Sequence, residues 1–218
     1  MIRNKVLYLL SCLLFGIAST HAQTPKKLVA MFRESTNDSV FLSRYSEFPY
    51  QRYRAQMHSS FHPLPTRLDS VAFHSEKGKV VKYLENDTAL IYLKVIAIDS
   101  AVKLRVGNIW LDPKGITPDS LKKEWAYVLR KAQLGVISFD QLCQSYSGTK
   151  GQDQFNCDLG WFYPETMVDK FYMEALERRK GEIYPMETEF GKHIVKTLED
   201  PVKDRWKVTY VLLGIRKH

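Results

Sequence analysis

The sequence predicts an α+β fold: a small antiparallel sheet covered by helices, preceded by a partial second unit of the same kind. Three observations point there. From Val106 to Leu198 the hydrophobic pattern runs strand, helix, helix, strand, helix, strand, strand. Start and stop signals bracket the helices of that run. Blocks taken from it recur elsewhere in the chain at a nearly constant spacing.

The first strand is Val106-Gly107-Asn108-Ile109-Trp110-Leu111, β-branched and apolar, ended by Asp112-Pro113. Thr117 followed by Pro118 is an N-cap with proline at the first helical position. Leu121, Trp125, Val128, Leu129 and Ala132 then share one helical face, and Gly135 closes it. Ser138 and Gln141 form a capping box that starts a second helix, with Phe139, Leu142, Cys143 and Tyr146 on its apolar side. A polar, glycine-containing loop over residues 147–158 leads to the short strand Leu159-Gly160-Trp161-Phe162. Met167, Phe171 and Ala175 at i, i+4 and i+8 mark a third helix, stopped by Gly181. Strands over 183–187 and 192–198 close the unit. Residues 23–60 are ambiguous. Leu28-Val29-Ala30-Met31-Phe32 suits a strand or a helix start, Ser35 to Ser39 is turn-like, and the region from Tyr45 to Tyr53 is aromatic and basic around Pro49.

The recurrence extends the reading outward. Lys77-Gly78-Lys79-Val80-Val81 matches Lys180-Gly181-Glu182-Ile183-Tyr184, and Leu93-Lys94 matches Val195-Lys196. Leu68, Ala72 and Phe73 match Phe171, Ala175 and Leu176, while residues 104–111 line up with 206–213, 102 positions further on. Residues 63–100 therefore read as the back half of one unit, 101–198 as a full unit, and 205–213 as the first strand of a third. The chain divides into a leader (1–22), an N-terminal region with the partial unit (23–100), the full unit (101–198) and a C-terminal strand and tail (199–218).

Arg3 and Lys5, the apolar run over 6–17 and Thr20-His21-Ala22 ahead of Gln23 have the order of a cleaved secretory leader. Leu9-Leu10-Ser11-Cys12 has too little apolar sequence before it for lipid anchoring. No later stretch is apolar enough to span a bilayer, so no stable membrane insertion is expected once the leader is removed. An apolar content of 44% excludes global disorder. The net charge of +8 falls by two, to +6, when Arg3 and Lys5 leave. The basic residues are interleaved with acids, as in Glu177-Arg178-Arg179-Lys180, which speaks for a solvated face and against nucleic acid. The six histidines are dispersed, so neither a metal nor another cofactor is expected. Cys143 and Cys157 remain after leader removal, and spacing leaves a disulfide and two free thiols equally open.

Asp158-Leu159-Gly160-Trp161-Phe162, then Met167, Val168 and Phe171, then Gly181-Glu182-Ile183, then Thr188 with Phe190-Gly191-Lys192-His193-Ile194 stand in one order across residues 106–198. In that order they resemble the parvulin family of peptidyl-prolyl cis-trans isomerases (PPIases). The resemblance implies a parvulin-like sheet and a proline cup of Leu159, Met167 and Phe171, with Phe162 at its edge. Met167 and Phe171 are expected on an exposed helix start, as pocket rather than core. His193 and Thr188 match the polar pair behind the cup. Two positions depart from the family: Asn108 stands where a second histidine is usual, and Thr149 where a cysteine or aspartate is usual. Asparagine and threonine keep hydrogen-bonding capacity but supply neither thiolate nor carboxylate. Cys157 stands where a glycine is expected, and the loop 112–119 lacks the arginines of phosphate-specific relatives. The implied activity is a periplasmic isomerase acting on exported, partly folded, X-Pro-containing polypeptides, with His193, Thr149, Asn108 and Thr188 in the catalytic surroundings. The alternative is a weak or inactive parvulin-fold chaperone or assembly factor that binds extended clients.

Overall fold

A computed structural model describes residues 24–146 and 157–217. The leader and Thr149 lie outside the described residues.

Two long strands organise everything else. β3 (Ala89–Leu111) and β6 (Gly191–Arg216) run antiparallel along their whole length, from Ala89 opposite Arg216 to Leu111 opposite Lys192. Register shifts between Val95 and Val106 break the ladder near its middle, and such bulges increase local twist and bend the strand. Each end of this ribbon is widened by one further strand on each edge. At one end β4 (Asp158–Phe162) pairs with β3, Leu104 opposite Phe162, and β5 (Ile183–Thr188) pairs with β6. At the other end β2 (Val80–Glu85) pairs with β3, and β1 (Tyr53–Gln56) pairs with β6, Tyr53 opposite Tyr210. The result is one six-stranded antiparallel sheet with a four-stranded face at either end.

Side chains alternate across the sheet, so each end needs cover on both faces. At the β4–β5 end, α4 (Pro118–Leu134) and α5 (Phe139–Tyr146) bury Leu121, Val128, Phe139 and Leu142 against Ile109 and Ile194. The opposite face carries Leu104, Val106 and Val195, which α6 (Asp169–Leu176) covers with Phe171, Tyr172 and Ala175. The predicted caps form: Thr117 accepts from the Ser120 amide, Gly135 is left-handed at φ 65, and Ser138 and Gln141 cap each other reciprocally. At the other end α1 (Pro25–Glu34) and α2 (Asp38–Tyr45) bury Leu28, Phe32 and Leu42 against Val211 and Leu213. There α3 (Arg67–Phe73) covers Leu93, Val95, Val208 and Tyr210. Lys94 is buried beneath α1 and α2, where its ammonium donates to the Phe32 and Ser35 carbonyls and to Asp38. Three acceptors for three N–H bonds are what a buried lysine requires.

Two open alternatives are resolved and two expectations change. Leu28 to Phe32 is helical, because Thr24 and Pro25 start a helix whose Leu28 and Phe32 face the core. Gly181 is not the stop of α6, which ends at Leu176; it takes φ 90 in the turn that leads to β5. Residues 205–213 do not open a third unit. They pair with β1 and with the first half of β3, and so complete the sheet of the N-terminal region. Cys143 and Cys157 form a disulfide, with Cα atoms 6.0 Å apart.

Candidate functional site

The site residues come from four strands, one helix and the segment before it, at the β4–β5 end. Asn108 lies on β3 and His193 on β6, and the strands run beside each other with Asn108 opposite Val195 and Trp110 opposite His193. That register puts both side chains on the face covered by α6. His193 is 7% exposed and Asn108 is also buried. The imidazole is held at both nitrogens: Nδ1 lies 3.1 Å from Asn108 Oδ1 and Nε2 lies 2.9 Å from Thr188 Oγ1. Nδ1–H therefore donates to Asn108, and Nε2 accepts the Thr188 hydroxyl proton. Thr188 Oγ1 accepts in turn from the Phe190 amide at 3.2 Å. Burial pushes the His193 pKa down to about 4, so the ring is neutral at pH 7.

The apolar part adjoins it. The Phe171 ring meets the His193 ring edge-on at 5.7 Å, and Phe162 stacks obliquely on Phe171 at 6.3 Å. Leu159 and Met167 are half-buried and pack on this cluster. Phe171 is 4% exposed, so it is not the accessible side chain the sequence suggested, and Phe162 has no exposed surface. Phe171 points inward because α6 starts at Asp169 and turns this face onto β3 and β6; Met167 precedes the helix and stays at the rim. The described geometry thus joins His193, Asn108, Thr188, Phe171, Phe162, Leu159 and Met167 in one cluster.

Several supports were not foreseen. Trp125 on α4 donates its indole N–H to the His193 carbonyl at 2.9 Å, and the Asn108 amide donates to the Cys157 carbonyl at 2.9 Å. An indole on an otherwise aliphatic helical face was the available sign of the first. Arg105 on β3 forks onto Asp158, whose Oδ1 also accepts from the Gly160 amide at 2.8 Å, and this pins the start of β4. The outer edge of β4 is taken by residues 58–60. The Ser60 amide donates to Trp161, and the Tyr163 amide donates to His58. Gly160 (φ 61) allows this approach, since a Cβ there would lie 2.4 Å from Ser60 Oγ and from the Phe61 ring. A separate cavity of about 430 Å³ lies near α2, lined by Thr36, Asn37, Tyr50, Arg52 and Thr209 among others; it is polar and remote from the imidazole.

The sequence profile of the PPIC-type PPIASE domain matches residues 79–201, more than half of the chain. The chain belongs to that family. The match begins at Lys79, just before β2 and ahead of the unit read from the sequence, and ends within β6. The chain is 36% identical over 66 residues to foldase protein PrsA of Geobacillus kaustophilus, covering 30% of this chain and 24% of that protein. It is 34% identical over 87 residues to chaperone SurA of Nitrosococcus oceani, covering 37% of this chain and 20% of that protein. It therefore spans only about a quarter or less of these relatives' length. Among solved structures, the parvulin NmPin of Nitrosopumilus maritimus is 26% identical, over 44% of this chain and 96% of that one, with a TM-score of 0.35. No helix among the described residues is long and apolar enough to cross a membrane.

Proposed function

We propose that this PPIase-family chain isomerises X-Pro bonds in extended, partly folded polypeptides, and that it does so in the periplasm. The observation that carries the reading is the neutral His193, suspended between Asn108 and Thr188 with the Phe171 ring against its edge. An X-Pro bond prefers trans by only about 0.5–1 kcal/mol, but its rotation barrier is roughly 18–20 kcal/mol. Lowering that barrier requires no covalent step. Leu159 and Met167 at the rim, over Phe171, are suited to take a prolyl ring out of water, which favours the twisted amide that has lost resonance. His193 acts as a positioning residue: a neutral ring, it holds Thr188 and Asn108 in one fixed arrangement and keeps ions out of the cup. Thr149 belongs to this reading as the loop residue expected to face the cup. The leader-like order of residues 1–22 and the Cys143–Cys157 disulfide both suit an oxidising compartment outside the cytoplasm.

A second reading, client binding without catalysis, is favoured by Asn108 standing where the family usually has histidine. The rate of cis-to-trans conversion on a panel of X-Pro peptides separates the two. Wild type is expected to accelerate it, Met167→Ala to slow it, and Thr149→Asp to change it only modestly. A wild-type rate equal to the uncatalysed one on every peptide would remove the enzyme reading and leave the chaperone.

A further inference from the structure

The end of the sheet remote from His193 is built on the same plan as the isomerase end. Val80 lies opposite Lys94 and Val81 opposite Leu93, just as Ile183 lies opposite Lys196 and Tyr184 opposite Val195. Ala72 of α3 and Ala175 of α6, both fully buried, occupy the same place in their helices. β1 flanks β6 as β4 flanks β3, and α1 and α2 cover the opposite face as α4 and α5 do. The remote end is thus a complete second copy of the unit, whose first strand comes from the far half of β6.

Carrying the offset of 102–103 residues across the two copies places Leu68 where Phe171 stands, Leu64 where Met167 stands and Ile91 where His193 stands. Asn86 replaces Thr188, and the strand pairing puts Leu212 in place of Asn108, since Asn108 lies opposite Val195 and Leu212 opposite Leu93, the counterpart of Val195. Leu64, Leu68 and Ile91 are all half-buried, so they keep accessible apolar surface. Leu212 is half-buried and packs against Leu93, Val95 and Tyr210. The part of the apolar wall formed by Met167 and Phe171 therefore has leucine counterparts, while the imidazole, its hydroxyl partner and its amide partner are all gone.

We infer that Leu64, Leu68 and Ile91 form a second cup that grips an extended polypeptide at an apolar or prolyl side chain and does not isomerise it. The occupant follows from the duplication: the same strand register and helix placement present an apolar cup at the same position, and the isomerase cup takes polypeptide. The inference rests on that reading of the first cup. It gives the chain two grips on one client, one catalytic and one holding.

The test is a methyl-labelled full chain titrated with a short peptide carrying one Ala-Pro bond. The methyls of Leu64, Leu68 and Ile91 are expected to shift together with those of Leu159 and Met167. Leu68→Asn should weaken binding at the second cup about tenfold, equivalent to roughly 1.4 kcal/mol, and leave the isomerase rate on a tetrapeptide unchanged. Shifts confined to Leu159 and Met167 would overturn the inference and leave the proposed function standing. Shifts confined to Leu64, Leu68 and Ile91, with no isomerase activity, would support the second cup and defeat the isomerase reading. The wild-type shifts decide the matter even if Leu68→Asn fails to fold.

Discussion

His193 illustrates how burial alone sets a residue's chemistry. Among the described residues no acid faces it; its neighbours are an amide, a hydroxyl and a phenyl ring, so desolvation dominates and its pKa falls to about 4. Between that value and the unfolded value near 6.5, the unfolded chain binds a proton that the folded chain does not. Stability contributed by the neutral ring is therefore fully present above about pH 6.5 and is lost as pH falls toward 4, by at most about 3 kcal/mol. Denaturant midpoints at pH 7 and pH 4.5 should differ accordingly, and His193→Gln should flatten the difference; an unchanged slope would show that other groups set it. Phe171 and Met167 behave differently under truncation. Phe171 sits in the core beneath the cup, so Phe171→Ala is expected to cost about 3–5 kcal/mol of stability. Met167→Ala at the rim should weaken peptide binding with a small change in melting temperature. Paired melts and peptide titrations check both. The motif made these residues legible as a group, but it could not say which faced solvent, because that depends on where α6 begins relative to the sheet.

At the scale of elements, Cys157 just before β4 is held by covalent and backbone links together. Cys157 has φ 58, a conformation unfavourable for a side-chain-bearing residue by roughly 1–2 kcal/mol, which explains why glycine is expected there. Here the residue is instead tied to α5 through Cys143, and its carbonyl receives the Asn108 amide beside the imidazole. A disulfide closing a loop of 14 residues stabilises by about 3 kcal/mol through restriction of the unfolded chain. The double variant Cys143→Ser/Cys157→Ser should lose that much in chemical denaturation. Wild type treated with a reductant under native conditions should change little, since both sulfurs are buried. A wild type as unstable as the variant after such treatment would show the bond to be open to solvent. Helix starts were legible at this scale because a cap is a local interaction among four residues. The pairing of the cysteines was not, because it depends on how α5 lies across the sheet.

At the scale of the whole molecule, the C-terminal half of β6 is the connection that closes the N-terminal region. β1 pairs with that half, which places Val208 and Tyr210 in the core under α3 and Val211 and Leu213 in the core under α1 and α2. Deleting residues 205–218 should therefore strip protection from β1 and from residues 89–97 of β3. Protection of Asn108, Ile109 and Ile194 at the other end should persist. Hydrogen exchange read by mass spectrometry distinguishes this from uniform loss, which would mean the two ends fold as one cooperative unit.

The order of elements over 106–198 and their caps follow from the sequence by itself, because hydrophobic period and capping are local properties of the chain. The internal match between 104–111 and 206–213 was legible too, and it correctly identified a repeated strand. Only the tertiary structure decided where that strand goes. It returns to the first unit, because β3 and β6 are each long enough to serve both ends of the sheet, and its apolar face is buried there between α3 and the α1–α2 pair. The same non-local pairing hides Phe171, joins the cysteines and places residues 58–60 on the edge of β4. A strand's partner is chosen by the exposed edge and apolar face that the rest of the fold presents to it, and those exist only once the rest has folded.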